Sequence, residues 1–243
     1  MRTTQILAEV ARAGVGVPAM PGELVRLCAR ELPINGVGLV LMTDAGPAGT
    51  VAVSDGPAGT LEELQFTLGE GPCVESSRTG RAALVADLGA VGPARWPVFT
   101  EGALRAGVAA VFAFPLRVGQ IRLGVLDLYR GEVGALAPEA LAEALAFADA
   151  AVAVLLHVQA HTPDGRLAQG PQVVPVLEDR AEVHQATGMI SVQAGVALAE
   201  ALVLLRARAF ASERSVAVLA REVVGGLLRF GDNGRGGAGG PGR

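Results

Sequence analysis

Along the first 160 residues the apolar positions alternate between helical and strand spacing. Ile6, Leu7 and Val10, then Leu24, Leu27, Cys28 and Leu32, recur at helical intervals, and Pro33 closes the second segment. Gly36 to Thr43 is a continuous apolar run of strand length, joined by a Gly/Pro/Asp-rich turn to the short run Thr50 to Ser54, which together predict a hairpin. Helical stretches follow at Thr60 to Thr67 and Cys73 to Thr79, then a strand at Ala82 to Asp87. A loop bearing Trp96 and Phe99 leads to a helical turn ending at Gly107. Val108 to Val118 and Gln120 to Tyr129, separated by Gly119, form the clearest hairpin signal in the chain. Pro138 opens a long helix running to about Gln159. This order predicts an α+β domain over residues 1–160, an antiparallel sheet flanked by helices gathered on one side.

Residues 161–171, HTPDGRLAQGP, have the composition of a linker. Beyond them the period is helical again, and three short apolar helices with alanine at the packing positions predict a second domain at 172–230. In the first of these, Val176, Val183 and Ile190 recur every seven residues with Ala186 beside them, a stripe suited to a partner helix. The second, Leu198 to Ala211, is apolar nearly all round. The third turns Val216, Leu219, Val223 and Leu227 inward and Arg221 outward. The tail 231–243, GDNGRGGAGGPGR, is expected to be disordered.

Composition narrows the function classes. No apolar run approaches the roughly 20 residues needed to cross a bilayer, and no leader precedes the first helix, so a cytoplasmic protein without a membrane partner is expected. The two cysteines, Cys28 and Cys73, lack the spacing of a zinc site or a disulfide framework, and no metal or cofactor is expected. All 20 basic side chains are arginine. Residues 1–174 carry 12 Arg against 17 acids, and residues 175–243 carry 8 Arg against 7, so the second part is near neutral and not a basic patch. With no phosphate-cradling loop, no Ser/His/Asp order and no H-E-x-x-H pair, an enzyme is not expected.

The ordered small residues of the second domain resemble the ANTAR family. They are A-x-G at Ala186 and Gly188, G-V-x-x-x-E-A at Gly195 to Ala201, L-R-x-x-A at Leu205 to Ala209, and the closing valines of Val218 to Val224. That resemblance implies a three-helix bundle that binds paired hairpins in nascent RNA, as a homodimer, and suppresses transcription termination. The first domain resembles the GAF domains that bacterial regulators pair with ANTAR. The resemblance is carried by L-G-E-G-P-C at Leu68 to Cys73, R-W-P-x-F at Arg95 to Phe99, F-P-L-R-V-G at Phe114 to Gly119 and L-G-V-L-D-L-Y at Leu123 to Tyr129. It implies a sensor of a small ligand, a redox state or a partner. Two departures from the ANTAR pattern stand out: Thr187 where lysine is frequent, and Ala197 where a serine would cap the second helix, a loss of about 1 kcal/mol.

For RNA contact the candidates are Arg180, His184, Thr187, Gly188 and Ser191 on one ridge of the first helix, with Arg206, Arg208 and Arg221 nearby. The ridge suits hydrogen bonding to phosphates or to splayed loop bases. Read without the resemblance, it suits a solvated helix face better, and the arginines equally suit ion pairs with Glu200, Glu213 and Glu222. For the GAF pocket the candidates are Cys73, Trp96, Phe99, Phe112, Phe114, Asp127 and Tyr129, aromatic surface with a thiol and a carboxylate. The same aromatics suit a core. Cys73, opening a helix, suits either a redox-responsive thiolate or a buried structural thiol. Cyclic-nucleotide GAF domains use an Asn-Lys signature, and the absence of lysine excludes it. A GAF-type methionine sulfoxide reductase would need Cys28 to resolve Cys73.

Overall fold

The computed structural model describes residues 3–43, 46–54, 56–161, 174–212 and 214–231, with the backbone alone over 174–180. The linker expected at 161–171 and the tail at 231–243 lie outside the described residues except for His161 and Gly231. The chain divides into two compact units, Met1–Leu177 and Glu178–Arg243.

The first unit is built on five strands, β1 (Gly36–Thr43), β2 (Gly46–Val53), β3 (Ala83–Val85), β4 (Ala110–Val118) and β5 (Ile121–Arg130). They form one antiparallel sheet in the order β2-β1-β5-β4-β3. The expected hairpins are β1–β2 and β4–β5, the second turning at Gly119. Helices cover both faces and not one. On the first face lie α1 (Thr3–Arg12), α2 (Met20–Glu31) and α7 (Pro138–Ala160). Their core takes in Ile6, Leu24, Cys28 and Phe147 with the strand residues Leu39, Phe112, Phe114, Leu126 and Leu128. On the opposite face lie α3 (Ala58–Leu68), α4 (Pro72–Thr79), α5 (Leu88–Arg95) and α6 (Pro97–Arg105), over Val40, Val111, Val125 and Tyr129. Two-sided burial is the reason β1, β4 and β5 are continuous apolar runs: a sheet with one wet face would alternate apolar and polar residues.

The segment expected to be a loop around Trp96 and Phe99 is two helices meeting at Trp96. Asp87 caps α5 by accepting from the Ala90 amide at 2.9 Å. Glu70 caps α6, its Oε1 accepting from the Val98 and Phe99 amides at 3.0 and 2.9 Å. Helix α7, at 23 residues, is long and apolar enough by length and composition to cross a bilayer, contrary to the expectation of no such run. In this fold Ala144, Phe147, Ala151, Val154 and Val158 are buried in the core against the sheet.

The second unit holds α8 (Val174–Ala194) from Glu178 onward, α9 (Leu198–Ala211) and α10 (Val216–Val224). Ala186, Ala201, Ala209 and Ala220 are fully buried, beside Val183, Ile190, Leu205, Val216, Leu219 and Val223. Alanine at those places lets the helices approach closely. Ala197 caps α9 with no side-chain bond, as the sequence requires, whereas Ser215 caps α10 by accepting from the Val218 amide at 3.2 Å. Leu227, expected inward on α10, lies past the end of the helix and is 85% exposed.

Candidate functional site

The strand register builds a hollow on the α3/α4 face of the sheet. Asp127 on β5 pairs with Gly38 on β1 and with Ala113 on β4, so the central carboxylate is flanked by the two smallest side chains available. Glu62, from α3, fills the space over Gly38. A Cβ at position 38 would lie 1.7 Å from the Glu62 Oε1, so only glycine admits this carboxylate. Gln65, one turn on along α3, packs over Gly71, whose φ of 132° is likewise open to glycine alone. Pro72 then starts α4 and delivers Cys73 to the centre of the hollow. The glycines and proline of L-G-E-G-P-C are thus structural devices that place one thiol.

Glu62, Gln65, Cys73, Asp127 and Tyr129 are all buried, with Cys73, Asp127 and Tyr129 at 0% exposure. The Tyr129 hydroxyl donates to Glu62 Oε1 at 3.0 Å and accepts from Gln65 Nε2 at 3.1 Å. Gln65 Oε1 in turn accepts the Cys73 amide proton at 2.8 Å. One donor atom each from Glu62, Cys73 and Asp127 lie within 4.8 Å of one another. Neither oxygen of Asp127 makes a well-formed hydrogen bond. Burial pushes its carboxyl up to about 7, against partial relief from the nearby Cys73, Gln65 and Glu62 side chains. Those neighbours offer Asp127 only weak hydrogen bonds, and the burial cost dominates. The same burial, with Asp127 and Glu62 adding negative charge, holds the Tyr129 hydroxyl well above its ordinary range, where it remains a proton donor.

The structure gathers only part of the expected pocket. Cys73, Asp127 and Tyr129 form the polar centre. Trp96 and Phe99 join the apolar cluster that also includes Tyr129, with Arg95 stacked 4.1 Å above the Trp96 ring. Phe112 and Phe114 belong to the opposite layer, with α1, α2 and α7, because side chains alternate along β4 and these two positions face away from Asp127. Glu62 and Gln65 were not among the expected residues, although their spacing of three beside the apolar Leu61 marks them as one helix face. Cys28 also lies in the opposite layer, where burial first and Glu143 second push its thiol far up. The sheet therefore separates the two thiols, and Cys28 is not placed to resolve Cys73.

In the second unit the expected polar ridge divides. The Arg180 side chain lies outside the described residues. His184 is exposed and Gly188 is half-buried with open space around it. Thr187 is buried, its hydroxyl donating to the Val183 carbonyl at 2.6 Å, and Ser191 donates to the Val196 carbonyl at 2.6 Å in the turn that follows α8. Both hydroxyls are therefore spent on backbone, Thr187 by bonding back one turn within the helix and Ser191 by bonding forward into the turn. Arg221 pairs with Glu182 at 3.3 Å, and Arg214 forms a fork with Glu222. Arg206 is half-buried, and desolvation lowers its guanidinium to about 10. Arg208 is exposed and lines a cleft of about 580 Å³ with Leu204, Ala207, Leu228, Arg229 and Phe230.

The GAF domain profile matches residues 21–157, over half of the sequence, and the chain belongs to the GAF domain family. Among solved structures it resembles the GAF domain of a phosphoenolpyruvate-protein phosphotransferase from Coxiella burnetii, at 19% identity and a TM-score of 0.50, covering 66% of this chain and 96% of that one. The GAF domain of the Acinetobacter phosphoenolpyruvate-protein phosphotransferase gives 11% identity, a TM-score of 0.48 and coverages of 67% and 95%. The free methionine-R-sulfoxide reductase of Neisseria meningitidis gives 15%, 0.48, 66% and 89%. No curated protein matches this chain. The first unit carries the GAF domain.

Proposed function

We propose that this GAF sensor controls an RNA-binding ANTAR unit, and that the chain is a transcription antitermination regulator gripping two RNA hairpins as a homodimer. In this reading it works in the cytoplasm and as a binding protein, not a catalyst. The observation that carries the reading is the burial of Ala186, Ala201 and Ala209, three alanines of the ANTAR-like pattern, with His184 and Arg208 left exposed. An imidazole and a guanidinium are suited to phosphates and splayed loop bases. Val192, Leu198, Val203 and Phe210 are exposed at 57–84%, apolar surface that a second protomer would cover. Because Arg214 and Arg221 are engaged in ion pairs, few phosphate contacts remain, and the salt dependence of binding should be shallow.

The test is binding of the full chain, at low salt, to a two-hairpin RNA, to a single hairpin cut from it, and to an unrelated RNA of equal length. The reading expects preference for two hairpins over both others. Equal binding to all three overturns it and leaves a GAF signalling and dimerisation module without RNA recognition.

A further inference from the structure

We propose that Glu62, Cys73 and Asp127 bind one divalent transition-metal ion at the centre of the GAF domain, with Zn²⁺ as the test case. The donor atoms, a sulfur and two carboxylate oxygens, come from α3, α4 and β5 and already lie within 4.8 Å of one another. A tetrahedral ion with bonds of about 2.0–2.3 Å spaces its donors about 3.5 Å apart, so side-chain rotation is enough to close the set. The thiol selects the class of ion. Sulfur favours zinc and similar transition metals, and Mg²⁺ or Ca²⁺ would call for oxygen alone.

A cluster of acids does not make a metal site, but a second observation points the same way. Asp127 is fully buried and both of its oxygens lack a well-formed hydrogen bond, whereas the other buried carboxyl among the described residues, Glu62, is bonded to Tyr129. A dry carboxylate in that position calls for either a proton or a cation. The surroundings also resemble an outer ligand sphere. Tyr129 holds one oxygen of Glu62, and Gln65 bridges Tyr129 to the Cys73 amide, so the two helix-borne donors are oriented through a single chain of bonds. Three protein donors leave one tetrahedral position for water or an exogenous ligand, the arrangement of a site that exchanges a ligand and not of a closed structural one. Binding would exchange two protons for the ion, one from the Cys73 thiol and one from the buried Asp127 carboxyl. The thiolate and the two carboxylates then carry the same net charge with M²⁺ as the protonated set carried without it. No sequence spacing announces this site, because its ligands come from three separate elements.

The inference does not depend on the RNA reading. The experiment is titration of the reduced, chelator-stripped full chain with Co²⁺ as a spectroscopic stand-in, followed by displacement with Zn²⁺. One equivalent should bind with a thiolate-to-cobalt charge-transfer band in the near ultraviolet, and Zn²⁺ should abolish the band. Cys28→Ala, on the far side of the sheet, should keep the band, and Cys73→Ser should lose it. Asp127→Asn should weaken binding by more than the ~10–100-fold that loss of an outer partner costs. The chain has two cysteines, so Cys28→Ala leaves Cys73 as its single thiol, and that variant is decisive even where Cys73→Ser does not fold. No saturable binding, or one-to-one binding without the thiolate band in Cys28→Ala, overturns the proposal.

Discussion

Asp127 stands at the centre of the candidate site in the first unit. Its carboxyl is raised to about 7, chiefly by burial, from an unfolded value near 4. The folded state therefore holds a proton that the unfolded chain has released, and the associated stability is complete below about pH 4 and lost as pH rises from there to about 7. In metal-free protein, Asp127→Asn should flatten this dependence and raise stability at pH 8 by on the order of 2 kcal/mol. Denaturant melts at pH 5 and pH 8 measure it, and an unchanged slope between wild type and variant would contradict the assignment. In the second unit, His184 is exposed, so His184→Ala should leave the fold intact. It should weaken two-hairpin RNA by about 1–3 kcal/mol, as read in a binding titration beside a thermal melt. Thr187 teaches the opposite lesson. From sequence it sits on the ridge with His184, yet its hydroxyl bonds back to the helix, a choice that residue spacing does not reveal.

At the scale of elements, β1, β4, β5, α7 and α9 were legible because each is long or strongly patterned. The sidedness of the sheet was encoded too: unbroken apolar strands mean two covered faces, and the expectation of helices on one side undervalued that. Helix α5 was hidden because Gly89, Gly92 and Pro93 are poor helix formers, offset by its own N-cap Asp87, and only the end of α6 was foreseen, because its start is capped from a distance by Glu70. The site was legible where a motif carried it, at Cys73, Asp127 and Tyr129. It was not legible at Glu62 and Gln65, whose burial depends on Gly38 and Gly71 elsewhere in the chain. The bare cap of α9 offers a gain-of-stability test. Ala197 already has the extended backbone of a capping residue, with φ −64° and ψ 154°, so Ala197→Ser should stabilise the second unit by about 1 kcal/mol. A melting temperature unchanged or lowered would count against the helix boundary.

At the scale of the molecule, two compact units follow one another in the chain, and the first contains a complete sheet with both layers. A fragment of residues 1–160 should therefore unfold cooperatively on its own, as followed by circular dichroism; a fragment without a transition would show that the boundary is misplaced. Sedimentation of the full chain should find a dimer, free or on two-hairpin RNA, and a strict monomer in both conditions would contradict the covering of Val203 and Phe210 by a second protomer. The most direct measurement of the central claim is recovery and sequencing of the RNA that co-purifies with the full chain across a salt titration, with the 1–160 fragment as the control. The account predicts enrichment of leader segments with paired hairpins by the full chain and not by the fragment, declining only shallowly with salt. RNA recovered equally with both, or no RNA at low salt, would contradict it.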